Sequence, residues 1–288
     1  VSEAAALDGG RPDEKAGLTT RLVCWWTIFR IALEERLAYR GDFALGTLMR
    51  FLPIITQIFL WWAIFESIDG DLVGYSFPDM VAYYLLSMLG RAFSSMPGLA
   101  STIAKQIRDG ELKKFLVQPI DLIGFFLLGR VAHKLAYYTI STLPFALVFY
   151  LCRDYFTDGW PSAYVMTMFC FSLILAFLLG FFMDLCIGLI GFWFLEVSSL
   201  LFIYMLFNFF LSGHMFPLDL LPSGIQAAVS CLPFKYLAYL PAAIFLGKID
   251  SELLWIEMTT EVLWLVILIC VARLLYGRGL RRYSGYGG

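Results

Sequence analysis

The chain is 288 residues long, 60% hydrophobic, 17% aromatic and only 15% charged, with a formal net charge of −2 and a mean hydropathy of +0.76. Soluble domains carry about 25% charged residues, so a water-soluble globule is excluded; a polytopic membrane protein needs no such burial, because lipid is its solvent. The near-neutral sum points to no nucleic-acid partner, and the placing of the charges says more than their total.

Residues 1–17, VSEAAALDGGRPDEKAG, are small, polar and charged. They lack the apolar core of a secretory signal and read as a disordered cytosolic tail. From Leu18 to Arg40, Arg21, Arg30, Glu34, Glu35 and Arg36 alternate with Trp25, Trp26, Phe29, Leu33 and Leu37. That is too much charge for a span. The spacing predicts an amphipathic helix on the membrane surface, with Trp25 and Trp26 at headgroup depth. A soluble helix packed on the body of the protein is the alternative.

Six apolar stretches match the roughly 20 residues that a bilayer crossing requires. They lie at about 43–65, 80–103, 122–151, 162–183, 197–212 and 253–276. The expected fold is therefore all-α and polytopic, with residues 18–276 as one transmembrane domain. Between the fifth and sixth spans, Gly213–Ile249 is apolar but broken by Pro217, Pro222, Pro233 and Pro241. Proline at that density prevents one continuous helix, which predicts two short re-entrant helices shielded by protein. Residues 277–288 form a basic cytosolic tail with Arg278, Arg281 and Arg282.

The one densely charged segment inside this apolar sequence is 103–121, IAKQIRDGELKKFLVQPID. It shares most of the Lys and Arg with the two terminal regions, whereas the opposite loops are chiefly acidic. The positive-inside rule places both termini and this segment in the cytosol. Within it, Gly110 permits a sharp turn and Pro119 ends the element.

Chemistry-bearing residues are few. Arg91 lies midway through the second span, near Ser94, Ser95 and Pro97. An intramembrane arginine faces protein or water, so it lines a pathway or subunit interface, or pairs with Glu66, Asp184 or Glu196. Asn208 and His214 are further pathway or interface candidates. Arg130, His133 and Lys134 read as the cytosolic edge of the third span. The 6 cysteines are scattered without a C-x-x-C pair, and a Cys152–Cys231 disulfide between outer loops stays open. No metal cluster, catalytic triad or P-loop is recognisable, so no cofactor is expected on this chain.

The order of parts resembles the membrane subunits of ABC type-2 exporters. IRDGELKKFLVQPI, Ile107–Ile120, is similar to the family's Gly-Glu-Leu, apolar pair, Pro pattern after span two. LSGHMFPLDLLP and LPFKYLAYLPAAIFLG, Leu211–Pro222 and Leu232–Gly247, are similar to its Ser-Gly, Pro, Leu-Pro, Pro-Phe progression. Within the family the likeness points to a poorly characterised bacterial branch that includes exporters of viologen-like cations. The resemblance implies an inner-membrane permease that pairs with a second, identical or homologous permease. It also implies a cytosolic ABC ATPase that carries the ATP and Mg and docks on a coupling helix near 102–115. The implied docking residues are Ile103, Ile107 and Leu112 as an apolar knob, with Arg108, Asp109, Glu111 and Lys113 fixing orientation. A lipid-modifying membrane enzyme and a non-transporting membrane anchor are the rival readings.

Overall fold

A computed structural model describes residues 18–283 apart from 39, 69, 118, 119, 158 and 195. The disordered-tail expectation for 1–17 and the stop at Pro119 lie outside these residues. No strand occurs among the described residues, beyond an isolated bridge between Leu72 and Tyr75. Eleven helices follow one another among them: α1 Leu18–Ala38, α2 Arg40–Glu66, α3 Phe77–Ser94, α4 Leu99–Arg108, α5 Lys113–Val117, α6 Leu122–Leu151, α7 Ala163–Leu189, α8 Ser198–Leu211, α9 Ser223–Ser230, α10 Tyr239–Phe245 and α11 Ser251–Arg282. Ala163–Phe192 and Glu252–Arg282 are long and apolar enough to cross a membrane, while Leu52–Glu66 and Ser198–Leu211 are shorter apolar helices.

Local chemistry sets the boundaries. Ser76 accepts the Asp79 amide while Asp79 accepts the Ser76 amide, a capping box that opens α3. Asp121 caps α6 and Ser162 caps α7. Helix α7 is the central post, packed against α3, α4, α10 and α11. Small residues allow the close approach, as in membrane helix pairs. A Cβ on Gly180 would run into the Ser94 carbonyl, and one on Gly188 would sit 2.9 Å from the Ala100 carbonyl oxygen.

Several expected boundaries move. The second span is not one helix from 80 to 103: α3 stops at Ser94 and α4 starts after Gly98. Pro97 cannot donate to the preceding turn, and Gly98 takes a left-handed φ of 72°. The helix of the expected sixth span, α11, does not end at Tyr276 but runs to Arg282, through Gly277 and Gly279. Gly279 lies flush against Phe192, where a side chain would collide. The broken segment resolves into α9 and α10, two short helices as expected, with 3-10 turns at Leu218–Leu220 and Pro233–Leu237. Cys152 and Cys231 are both free, so the disulfide is absent. Helix α1 packs along α6 and leaves Leu22, Val23, Trp26 and Ile31 exposed on its outer side.

Candidate functional site

The charged segment folds back on the body of the protein. Helix α4 carries Leu99, Ala100, Ile103, Ala104 and Ile107 at helical spacing, and all are buried. Ile103 packs against Gly188 of α7 and Ile107 against Gly191 in the 3-10 turn that follows it, and Leu112 is 1% exposed. These three are therefore not an external knob in this conformation; they anchor the element, because α4 has an apolar stripe and α7 offers it a glycine-lined groove. The polar residues do face outward. Arg108, Asp109, Glu111 and Lys113 are exposed, with Arg108 3.7 Å from Glu196 and Lys114 3.4 Å from Glu111. Gly110 makes the turn with φ 74°. The exposed apolar residues here are Leu116 and Val117, the latter 85% exposed. Their signal was the apolar triplet Phe115-Leu116-Val117 after two lysines, of which only Phe115 turns inward, onto Phe125 and Phe126.

The element is tied at both ends. Asp121 accepts the Gly124 amide at 2.9 Å and two bonds from the Arg273 guanidinium at 2.6 and 3.0 Å. Partial burial pushes its carboxyl pKa up, but the bonds from Arg273 and Gly124 outweigh that and hold it below the usual range. On the other side, hydrogen bonds from the Ser198 hydroxyl and amide, with Arg108 further away, hold the Glu196 carboxyl low as well.

Arg130 and Lys134 do more than mark an edge. Lys134 Nζ donates to the Ala92 carbonyl and, at 2.7 Å, to that of Ser95. Arg130 donates to the Pro97 carbonyl at 3.0 Å, and the Tyr138 hydroxyl to that of Ala92 at 3.2 Å. The carbonyls orphaned where α3 ends are thus capped from α6.

Two cavities flank α3. On one face, Tyr84, Ser87, Met88 and Arg91 meet Pro53, Thr56, Gln57 and Leu60 of α2 and Phe209, His214 and Met215, lining a half-open cavity of about 510 Å³. Both helices contribute an i, i+3, i+4, i+7 stripe. The Arg91 guanidinium lies 5.6 Å from the Phe209 ring centroid, and the His214 ring 6.4 Å from the same ring. Arg91 and His214 are therefore brought together. Asn208 is not among the lining residues; its side chain sits beside Tyr204, whose hydroxyl donates to Asp184 at 2.8 Å. On the other face, Leu86, Leu89 and Phe93 line an apolar cleft of about 890 Å³ toward α6 and α7.

A family model described as ABC-2 family transporter protein matches residues 51–287, from α2 through the end of α11. The chain belongs to the ABC-2 transporter family. It is a membrane permease, a transport component. No curated protein matches it.

In this permease the broken segment is pinned to α3 and α11 by polar contacts that no short motif announced. Asp219 accepts the hydroxyls of Tyr75 and Tyr239, each at 2.7 Å. Tyr83, fully buried, donates to the Gly213 carbonyl at 2.6 Å. Lys248 bridges to Asp79 at 3.0 Å and Lys235 to Glu257 at 2.8 Å. One turn along α11, the buried Glu261 accepts the Ser172 hydroxyl at 3.1 Å. Each of these residues is plain in the sequence, but their partners lie 20 to 169 residues away.

Proposed function

We propose that the permease is the membrane half of an ATP-driven bacterial exporter. Its six crossings are α2, α3 with α4, α6, α7, α8 and α11, in the inner membrane, and both termini are cytosolic. A separate ABC ATPase binds the ATP and Mg and docks on α4–α5. A second permease, identical or homologous, completes the pathway, and the cargo is lipophilic or amphiphilic.

The observation that carries this reading is the build of α4–α5. A charged outer face with exposed Leu116 and Val117 is locked by its buried side to α7 and, through the Asp121–Arg273 pair, to α11. A force applied there reaches both long apolar helices. Basic residues of α4–α5 and of the α11 terminus gather at this end, which fits the positive-inside rule. Helix α8 has 14 residues, roughly 21 Å. That falls short of the roughly 30 Å hydrocarbon core, so residues after Leu211 complete the crossing and form the outer gate.

The test is co-purification from native membranes. The wild-type chain should bring down a P-loop ATPase in stoichiometric amount. Glu111→Lys with Lys113→Glu, or Val117→Asp, should weaken that association at least roughly tenfold, the size of one lost charged contact, with membrane insertion unchanged. An ATPase that stays bound to both variants places the docking face elsewhere, and no ATPase at all overturns the reading.

A further inference from the structure

The cavity between α2, α3 and the turn after α8 has the chemistry of a binding site for an anion with a greasy body. Its described lining contains a cation, Arg91, and no Asp or Glu. Two of its polar side chains hold buried atoms without a hydrogen-bond partner among the described residues, Nδ1 of His214 and Oε1 of Gln57. His214 is only 9% exposed, so water does not readily reach that nitrogen. An unsatisfied buried polar atom costs about 1–3 kcal/mol, and two in one cavity beside an arginine call for a polar occupant. The imidazole can present N–H on either nitrogen, and the Gln57 amide supplies N–H donors when its two ends are exchanged. Arg91 adds a planar fork matched to carboxylate or phosphate oxygens. Around these groups Leu60, Met88, Phe209 and Met215 form apolar walls. Arg91 also rests on Phe209, which holds the cation at the cavity wall.

We propose that this cavity binds an amphiphile through its single anionic group, a carboxylate or phosphate, held by Arg91 with His214 and Gln57. The proposal rests on the permease reading and names its cargo class. A quaternary cation placed here meets Arg91 at close range, so viologen-like compounds are disfavoured.

The experiment uses the full chain in nanodiscs of phosphatidylcholine. Three fluorescent probes share one tail: dansyl-labelled undecanoate, its primary amide and its trimethylammonium counterpart. The carboxylate should bind roughly 10- to 100-fold tighter than either, as expected for hydrogen bonds to a charged group. Arg91→Gln should remove that preference, Arg91→Lys should keep most of it, and His214→Ala should reduce it. Phe145→Ala, in the separate apolar cleft, should leave it unchanged. Equal binding of the three probes, tighter binding of the ammonium, or an unaltered preference in Arg91→Gln overturns the proposal. Adding phosphatidylglycerol distinguishes the source. Competition that depends on Arg91 supports a lipid headgroup as occupant, and lack of competition supports a cargo molecule. ATPase co-purification reads out independently: charge preference without an ATPase sinks the exporter reading and keeps the site, whereas an ATPase without charge preference sinks the site alone.

Discussion

A lysine among packed helices must find acceptors, and Lys134 finds them where α3 stops. Its ammonium replaces the missing next turn for Ala92 and Ser95. Removing it takes the lysine donor from the Ser95 carbonyl and leaves Ala92 with the Tyr138 hydroxyl. Lys134→Met should therefore cost about 2–4 kcal/mol and lower the thermal midpoint of the detergent-solubilised permease, with Lys134→Arg recovering part of the loss. Asp121 gives a second test at this scale. Its folded-state pKa is depressed, so its contribution is present above the unfolded value of about 3.9 and is lost as pH falls through the lower folded one. Asp121→Asn should melt earlier than wild type at neutral pH, and the gap should close in acid. A gap that persists below the folded pKa would show that the pair does not act through charge.

Elements meet through what their surfaces lack. Helices α3 and α4 can lie on α7 because Gly180 and Gly188 present no side chain to Ser94 and Ala100. Gly188→Leu should push α4 outward at a cost of about 1–3 kcal/mol or more, read as lower monodisperse yield and easier proteolysis after Lys113 or Lys114. Much of the element map was legible. Helix α6 has the expected bounds, and α8 differs by one residue at each end. Length and hydropathy suffice where one helix runs unbroken through the apolar stretch. The same measures failed at Ser95–Gly98, because an apolar count runs straight through a break whose carbonyls are satisfied from Arg130 and Lys134. They also missed which apolar residues of the charged segment lie inside the fold. Ile103, Ile107 and Leu112 stood out as the apolar residues of a charged segment, and for that same reason they are buried in the body of the protein.

At the scale of the molecule, one end gathers Lys105, Arg108, Lys113 and Lys114 with the α11 terminus, and the other gathers Asp79, Asp219 and the broken segment. Orientation can be read with single cysteines in a cysteine-free background. On intact cells a membrane-impermeant maleimide should label Trp160→Cys and not Val117→Cys, although both native side chains are 85% exposed. Permeabilised cells should label both. The reverse pattern would invert the proposed topology.

The sequence by itself determined the class: helices in place of strands, a membrane in place of water as solvent, and the family, since these follow from composition, apolar run length and the order of short motifs. Tertiary structure decided which residues share a site. Arg91 and His214 are separated by the full span of α4 to α8, and Asp121 meets Arg273 across 152 residues. Hydropathy and helical period describe one segment at a time. Which face of α3 meets α2 and which meets α7 is set by steric fit at Gly180 and by the search of buried polar groups for partners, and both depend on segments far away in the chain.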